Sequence, residues 1–279
     1  MITAAAQKLH RPRRDSANCS SRQSVILNEK KQRVDALLVA RGLAASIEEA
    51  RRLIGAGRVL INSRRSDKAG ALVAPSSEIA VKMVRKYVSR GGDKLDAGLR
   101  DTAIRPQGWI CVDVGCSTGG FTDCLLRHGA RKVYAVDVGY GQLDWKLRTD
   151  ERVVVLERTN ARFLTRTQIP LPIDLAVIDA SFISLEPLLA PLLPLFCCEI
   201  RILALVKPQF QLPREEVGPN GVVLDTRRHE QALAMVQEFS EKLGLQCTKI
   251  TPSPLRGAKG NQEFFMLLTG VSAEGTAEQ

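Results

Sequence analysis

The sequence has no C-x-x-C pair and only three histidines, so it offers few ligands for a structural metal site. Its seven cysteines are an odd number, which argues against a disulfide framework. Most of them lie in apolar stretches, where a free thiol packs as a small hydrophobic group in a reducing compartment. The cysteines are Cys19, Cys111, Cys116, Cys124, Cys197, Cys198 and Cys247. We therefore expect a cytoplasmic protein that binds no metal.

A long apolar run is also missing. The most apolar stretch, residues 185–206, is interrupted by three prolines and by Glu186, Glu199 and Arg201. It falls short of the roughly 20 uninterrupted apolar residues that a membrane span needs, so we expect no membrane contact. Residues 1–31 are predicted to be a disordered basic tail, with a transit peptide as the alternative, and they lack the hydrophobic region of a secretory signal.

Positive charge is concentrated in the first part of the chain. Residues 1–105 contain 22 Lys and Arg against 10 Asp and Glu, whereas residues 106–279 contain 18 against 20. A protein that neutralises nucleic-acid phosphates releases their counterions, so this asymmetry favours a nucleic-acid partner. An exposed basic face that serves only solubility is the alternative. The length of 279 residues is enough for two domains.

A small α+β domain is predicted for residues 32–82. Hydrophobic residues at helical spacing predict a first helix that is closed by Gly42, and Ser46 followed by Glu49 forms a capping box for a second helix. Residues 58–62 and 78–81 are predicted strands, and Arg64-Arg65 is a predicted basic turn between them. So small a unit with so many arginines is typical of a binding module.

Three segments of this module resemble the RNA-binding fold first seen in ribosomal protein S-four. They are Arg33-Val-Asp-Ala-Leu-Leu, Ala50-Arg-Arg-Leu-Ile and Gly57-Arg-Val-Leu-Ile-Asn62. The resemblance spans residues 32–80 and implies an RNA-binding surface. The arginines expected on that surface are Arg33, Arg41, Arg51, Arg52, Arg58, Arg64 and Arg65.

Strands and helices alternate in a second predicted domain, residues 94–271, after a linker at residues 83–93. Alternation of this kind predicts an α/β fold with a parallel, doubly wound sheet. A closing hairpin would complete the seven-stranded arrangement of Rossmann-like methyltransferases. The predicted strands are 109–114, 133–138, 153–157, 175–179, 202–206, 246–250 and 262–268. A helix that contains Leu95 and Leu99 is predicted directly after Lys94, and the other predicted helices are 119–129, 142–149, 187–195 and 227–243. Residues 272–279 are a predicted disordered tail.

The glycine-rich turn after the first of these strands has the spacing G-x-x-x-G-G. Asp113, two residues before its first glycine, would repel a pyrophosphate but suits the ammonium group of a methionyl moiety, which favours S-adenosylmethionine over NAD. Asp137, after the second strand, is placed to accept from ribose hydroxyls, and Asn160 to contact adenine. Ordinary turn and cap chemistry is the alternative for both. The predicted cofactor residues are Asp113, Gly115, Ser117, Thr118, Gly119, Gly120, Phe121, Asp137 and Asn160.

Polar residues also stand at three other strand ends: Asp179, Lys207 and Glu263. Lys94, in a predicted glycine-rich loop, is expected to fold over the same edge. Lysines beside carboxylates suit methyl transfer to a ribose 2′-hydroxyl, because this poor nucleophile needs a group to take its proton and a cation to stabilise the alkoxide. A structural ion pair is the bland alternative.

The series of motifs resembles the TlyA, or hemolysin A, family and its FtsJ-type catalytic domain. It comprises Ser89-Arg-Gly-Gly-Asp-Lys94, the glycine-rich turn, Ala135-Val-Asp-Val-Gly139, Thr159-Asn-Ala-Arg162 and Val206-Lys-Pro-Gln-Phe210. The resemblance implies cytidine 2′-O-methylation of ribosomal RNA by a monomer or weak dimer. It implies a catalytic tetrad of Lys94, Asp179, Lys207 and Glu263. The alternatives are a non-catalytic RNA-binding assembly factor and a haemolysin, the latter disfavoured by the missing membrane-spanning segment.

Overall fold

The computed structural model describes residues 30–82 and 86–272, and the chain divides into two compact units, residues 1–83 and 84–279. The predicted tails lie outside the described residues except for residues 30, 31 and 272, and residues 83–85 of the predicted linker lie outside them as well. Among the described residues, no helix has the length and apolar character needed to cross a membrane.

The N-terminal unit packs two helices against short antiparallel strands. Its elements are β1 (Gln32–Arg33), α1 (Val34–Ala40), α2 (Ile47–Gly55), β2 (Val59–Ile61), β3 (Arg64–Ser66), β4 (Leu72–Val73) and β5 (Ile79–Val81). The strands form a β3-β2-β5 sheet and a β1-β4 pair. Val34, Leu38, Ile54 and Val59 meet in its core. As the capping box predicts, the Ser46 side chain accepts a hydrogen bond from the Glu49 backbone N–H.

The predicted basic turn in this unit is displaced by two residues. Arg64 and Arg65 lie on strand β3, and the chain reverses at Asn62 and Ser63, whose φ angles are 47° and 65°. A two-residue turn with positive φ at both positions matches the right-handed twist of the flanking strands, which is why the reversal is so tight. The arginines therefore project from a strand, and the prediction of a turn there was wrong.

The C-terminal unit is built on a seven-stranded sheet. Its strands are β6 (Ile110–Val114), β7 (Lys132–Val136), β8 (Val153–Leu156), β9 (Leu175–Ile178), β10 (Glu199–Val206), β11 (Gln246–Pro252) and β12 (Phe264–Val271). Its helices are α3 (Arg90–Asp101), α4 (Gly120–Arg127), α5 (Trp145–Arg148), α6 (Glu186–Leu189), α7 (Pro208–Gln211) and α8 (Thr226–Lys242). The strand order is β11-β12-β10-β9-β6-β7-β8. In this sheet only β12 runs against the other strands, pairing antiparallel with both β10 and β11, which confirms the predicted fold class.

Lys94 lies on helix α3, not in the glycine-rich loop that the sequence predicted. The Ser89 side chain caps this helix, accepting from the backbone N–H of Gly91. The glycines of this segment allow α3 to approach α4 closely: a Cβ atom on Gly120 would lie only 2.8 Å from the backbone nitrogen of Gly92. Close packing therefore stabilises a helix where glycine content alone indicates a loop.

The topology brings distant polar residues to one edge of the sheet. Parallel strands β6, β7, β9 and β10 all end there, so the residues that follow them, Gly115, Asp137, Asp179 and Lys207, meet at that edge. Strand β12 runs the other way, and its first residue, Phe264, pairs with Val206 at the end of β10. Glu263, just before β12, therefore reaches the same edge.

Candidate active site

Three adjoining cavities open at this edge, and Asp179 and Ser181 contribute to the walls of all three. We call them the Asp137 cavity, of about 350 Å³, the glycine-loop cavity, of about 300 Å³, and the lysine cavity, of about 340 Å³. The first contains Gly115, Ser117, Asp137, Thr159 and Asn160 in its wall. The second contains Ser89, Arg90, Thr118, Gly120 and Phe121. The third contains Lys94, Lys207, Gln209, Phe210 and Glu263.

The glycine-rich turn forms the floor between two of these cavities. Gly115 has φ +83°, and a Cβ atom at this position would lie 2.9 Å from the backbone oxygen of Asp179, so no larger residue fits. Helix α4 begins directly after Gly119, whose φ is also positive.

Asp137 and Asn160 come together on the wall of the Asp137 cavity, as the sequence predicted. The Asp137 carboxylate accepts from the backbone N–H of Ser117 at 2.8 Å and of Gly139 at 2.7 Å. The Asn160 side-chain oxygen caps a short 3₁₀ turn by accepting from Arg162 N–H. Both residues thus make ordinary turn and cap contacts, the alternative considered from the sequence, and both also line the cavity.

Asp113 lies one layer deeper than the predicted cofactor residues. It is fully buried, and the Thr122 hydroxyl donates to one of its oxygens at 2.7 Å. Within the described chain, the other oxygen has no hydrogen-bond partner. Burial raises the pKa of this carboxyl to about 7, although the Thr122 hydrogen bond acts against the increase. Asp113 supports the loop from below and lines none of the three cavities.

The four residues of the predicted tetrad form two ion pairs in the wall of the lysine cavity. Lys207 Nζ lies 2.7 Å from Asp179 Oδ1, and Lys94 Nζ lies 2.5 Å from Glu263 Oε2. The side chains of Lys94, Lys207 and Glu263 are nearly enclosed, and that of Lys207 is 8% exposed. Two cations and two anions, desolvated together, therefore face one small space.

Ser181 and an aromatic pair were missed by the sequence reasoning. Lys207 Nζ donates to the Ser181 hydroxyl at 2.8 Å. Phe182 is 92% exposed at φ +66°, and its ring centroid lies 5.3 Å from that of Phe210, in the wall of the lysine cavity. A single serine or phenylalanine in a loop has no periodicity, and the only signal was its closeness to Asp179 and Lys207 in the chain.

The predicted RNA-binding arginines divide into two groups. Arg33 and Arg51 contact the carboxylate of Asp35, at 2.6 Å and 3.3 Å, and this carboxylate is 1% exposed. Hydrogen bonding from Arg33 is the main reason that the pKa of Asp35 is lowered to about 2. Arg41 and Arg58 donate to backbone oxygens of the same unit.

The second group is exposed at the surface of the N-terminal unit. It consists of Arg52, Arg64 and Arg65. Exposed guanidinium groups can reach phosphates without first breaking a contact inside the protein, so these three are the better candidates for direct RNA contacts.

One group of possible metal ligands lies away from the cavities. Ligand atoms of Asp96, Cys124 and His128 lie within 4.8 Å of one another. Lys86 Nζ already contacts the Asp96 carboxylate at 2.9 Å, and burial raises the pKa of the Cys124 thiol to about 12. A competing ammonium and a protonated thiol both disfavour a cation at this place.

The chain matches two known families over most of its length. Residues 87–269 match the FtsJ-like methyltransferase family, and residues 32–79 match the S4 domain. A Mycobacterium tuberculosis protein named 16S/23S rRNA (cytidine-2′-O)-methyltransferase TlyA is 46% identical over 86% of this chain and 90% of its own length. This chain belongs to the TlyA family of FtsJ-like methyltransferases.

Two further TlyA-family likenesses cover most of the chain. Hemolysin A of Brachyspira hyodysenteriae is 37% identical over 84% of this chain and 98% of its own length. A solved structure from Streptococcus thermophilus, described as a candidate hemolysin, has a TM-score of 0.66 and 39% identity and covers 89% of this chain and 93% of its own. The resemblance predicted from the sequence is thus confirmed.

Proposed function

We propose that this TlyA-family chain transfers the methyl group of S-adenosylmethionine to the 2′-hydroxyl of a cytidine ribose in ribosomal RNA. The observation that carries the proposal is the Lys207–Asp179 ion pair, because Asp179 belongs to the walls of both the Asp137 cavity and the lysine cavity. A group bound in one cavity would therefore border a group bound in the other.

The residues of the Asp137 cavity fit the adenosyl part of S-adenosylmethionine. The volume of the cavity is large enough for a nucleoside, and Asp137 supplies a carboxylate for the ribose hydroxyls of the cofactor. Gly115 lets the turn lie close against the backbone of Asp179, where a Cβ atom would collide with the carbonyl oxygen. Asn160 lies on the same wall for contact with the adenine ring. When bound, S-adenosylmethionine supplies an electrophilic methyl group on a sulfonium.

Lys207 has the contacts expected of the central catalytic group. An ammonium carries three N–H groups, and Ser181 accepts one of them while Asp179 lies beside it. The remaining N–H makes only a long contact of 3.5 Å with the Asp179 backbone oxygen. The oxygen of a ribose hydroxyl would take its place, and the ammonium would stabilise the developing alkoxide; a neutral Lys207 would instead accept the proton. The Lys94–Glu263 pair holds the opposite part of the same wall.

The exposed residues around the site suit an RNA substrate. Phe182 and Phe210 offer aromatic faces on which a base can stack. The exposed arginines of the N-terminal unit can contact phosphates of an RNA substrate. Ribosomal RNA as the substrate also implies that the protein works in the cytoplasm.

The test is to map 2′-O-methyl groups in ribosomal RNA from cells with and without this protein. We expect one or more cytidines to lose the modification in the deleted strain and to regain it when the intact gene, but not a Lys207→Ala copy, is returned. An unchanged methylation map in the deleted strain would overturn the proposal.

A further inference from the structure

Gln209 contributes a polar side chain to the lysine cavity that the tetrad does not use. It lies two residues after Lys207, within helix α7, and it lines the cavity. Its side-chain oxygen is buried and has no hydrogen-bond partner among the described residues. Buried acceptors without a donor are few in native proteins, and one in a cavity wall indicates that a ligand supplies the donor.

Several neighbouring polar side chains already have protein partners. Lys207 contacts Asp179 and Ser181, as described above. Asn261, on the same wall, accepts from the Val223 N–H and donates to the Gly221 carbonyl, each at 2.8 Å. These contacts commit their side chains to the protein, whereas the Gln209 oxygen is left for whatever enters the cavity.

The backbone around Gln209 is constrained, as is needed for a side chain that recognises a ligand. Pro208 restricts φ directly before it. Phe210 N–H donates to the Lys207 carbonyl at 2.9 Å, and Leu212 N–H donates to the Pro208 carbonyl at 3.1 Å. The next glutamine, Gln211, accepts from the Leu185 N–H and so serves the fold. Gln209 therefore has a constrained backbone, and, unlike Gln211, its side-chain oxygen accepts no hydrogen bond from the described residues.

We propose that Gln209 selects cytosine at the methylated nucleotide, an inference that rests on the function proposed above. Cytosine presents an N4 amino donor beside its N3 acceptor, and a carboxamide offers the matching acceptor and donor. Uracil presents the reverse order, an O4 acceptor beside an N3–H donor. With its oxygen turned toward N4 and its nitrogen toward N3, the Gln209 carboxamide makes both hydrogen bonds to cytosine, and in the same orientation it makes neither to uracil.

The aromatic pair described above gives the selection a second element. Phe210 follows Gln209 directly, and Phe182 lies against it, so a base stacked on these rings would present its edge near the carboxamide. Adenine offers the same two groups as cytosine on a larger ring. Comparing cytidine with uridine therefore isolates the part of the selection that Gln209 makes.

The experiment compares two variants on two substrates. The substrates are ribosomal subunits from the deleted strain, carrying either the mapped cytidine or a uridine at that position, and the measurement is the single-turnover rate of methyl transfer. We expect the intact protein to prefer cytidine by at least about 10²-fold, because a site built for specific hydrogen bonds strongly rejects a base that leaves them unmade. Gln209→Leu should reduce this preference below about tenfold, since both hydrogen bonds are lost.

Gln209→Glu keeps the size and polarity of the side chain and so guards against a folding defect in the leucine variant. A carboxylate matches one group and opposes the other on each base, so this variant should also lose most of the preference. Gln237→Ala, on the exposed face of α8, is the matched control and should keep it. Cofactor binding and thermal unfolding of each variant show that the cavity is intact.

The outcomes separate this inference from the proposed function. If the intact protein methylates neither substrate, the proposed function fails. If it methylates cytidine selectively and either folded variant keeps the same preference, the function stands and the role of Gln209 is overturned. Loss of preference in the folded variants, with the control unchanged, supports the selection of cytosine by Gln209.

Discussion

The two units of the chain use charged residues in opposite ways. In the N-terminal unit, Arg33 and Arg51 contact a carboxylate that is only 1% exposed, that of Asp35, but both arginine side chains are more than half exposed. In the C-terminal unit, Lys207 meets Asp179 from the end of a different strand, and only 8% of its side chain is exposed. The first arrangement leaves its cations open to solvent, and the second encloses its cation.

The difference separates binding from chemistry. Exposed charges are screened and contribute little to stability, but they are free to exchange one partner for a phosphate. Enclosed charges interact strongly with a developing charge because water is excluded, and they are costly to leave unpaired. We therefore expect substitutions in the N-terminal unit to change RNA affinity and those at the enclosed pairs to change the rate of reaction.

Lys207→Ala should give the largest effect, and it tests most directly whether the enclosed pair serves the chemistry. We expect the variant to fold and bind cofactor but to lose roughly 10² to 10⁴-fold in single-turnover rate, the usual contribution of a positioned acid–base group. Lys207→Arg should not restore the rate, because a guanidinium stays protonated and differs in shape. A variant that is destabilised by about 3–5 kcal/mol yet fully active per folded molecule would show that the pair is only structural.

Asp137→Ala tests a carboxylate whose partners are local although it lies in the catalytic unit. Two hydrogen bonds to a charged acceptor predict a loss of cofactor affinity on the order of 10²-fold, measured by isothermal titration with S-adenosylmethionine. Because its role is binding, saturating cofactor should restore most of the rate. Asp150→Asn, at the surface ion pair with Arg152, is the control. Equal affinity in Asp137→Ala and the intact protein would argue against the cofactor assignment.

Asp35→Asn examines the one enclosed charge among residues 30–82 of the N-terminal unit. The folded pKa of about 2 lies below the usual value of 3.8, so the stabilisation is present above about pH 4 and lost as the pH falls through about 2. We expect the variant to lose at most about 2 kcal/mol at pH 7. Urea denaturation at several pH values gives the difference in unfolding free energy between the variant and the intact protein, and this gap should close between pH 4 and 2. Asp67→Asn, at an exposed position, is the comparison. A gap independent of pH would contradict this account.

Arg64→Ala combined with Arg65→Ala should give the smallest effect and sharpen the comparison most. If both side chains contact phosphates, RNA affinity should fall several-fold and the slope of log affinity against log salt should decrease by about 1 to 2. Cofactor binding should be unchanged. Lys242→Ala, on the exposed face of α8, serves as a control for net charge. An unchanged salt slope would assign these arginines to solvated surface.

Much of the fold could be predicted from periodicity and strand-end chemistry. The capping box at Ser46 was found, and the carboxyl ends of the strands before Gly115, Asp137, Asp179 and Lys207 were found within two residues. These signals are local, because a cap or an apolar strand is specified by neighbouring residues. The edge at which the four strand ends meet followed from the rule for parallel sheets.

What could not be predicted depended on contacts between distant segments. The helix containing Leu95 and Leu99 was predicted, but Lys94 was expected in the loop before it because glycines disfavour helices. The close approach of α3 to α4 explains why the helix begins earlier, at Arg90. The burial of Asp113 beneath the turn likewise depends on packing that sequence spacing does not reveal. The pairing of Lys94 with Glu263, 169 positions apart, was one of several arrangements that the four residues allowed.

The antiparallel direction of β12 has a consequence for protein synthesis. Glu263 precedes a strand that pairs with both β10 and β11, so the partner of Lys94 arrives only after nearly all of the C-terminal unit has left the ribosome. Domains generally fold in the order in which they are made, so the N-terminal unit can fold, and contact RNA, while the lysine cavity still lacks a wall. A nascent chain halted before residue 263 would carry the RNA-binding unit without a complete active site.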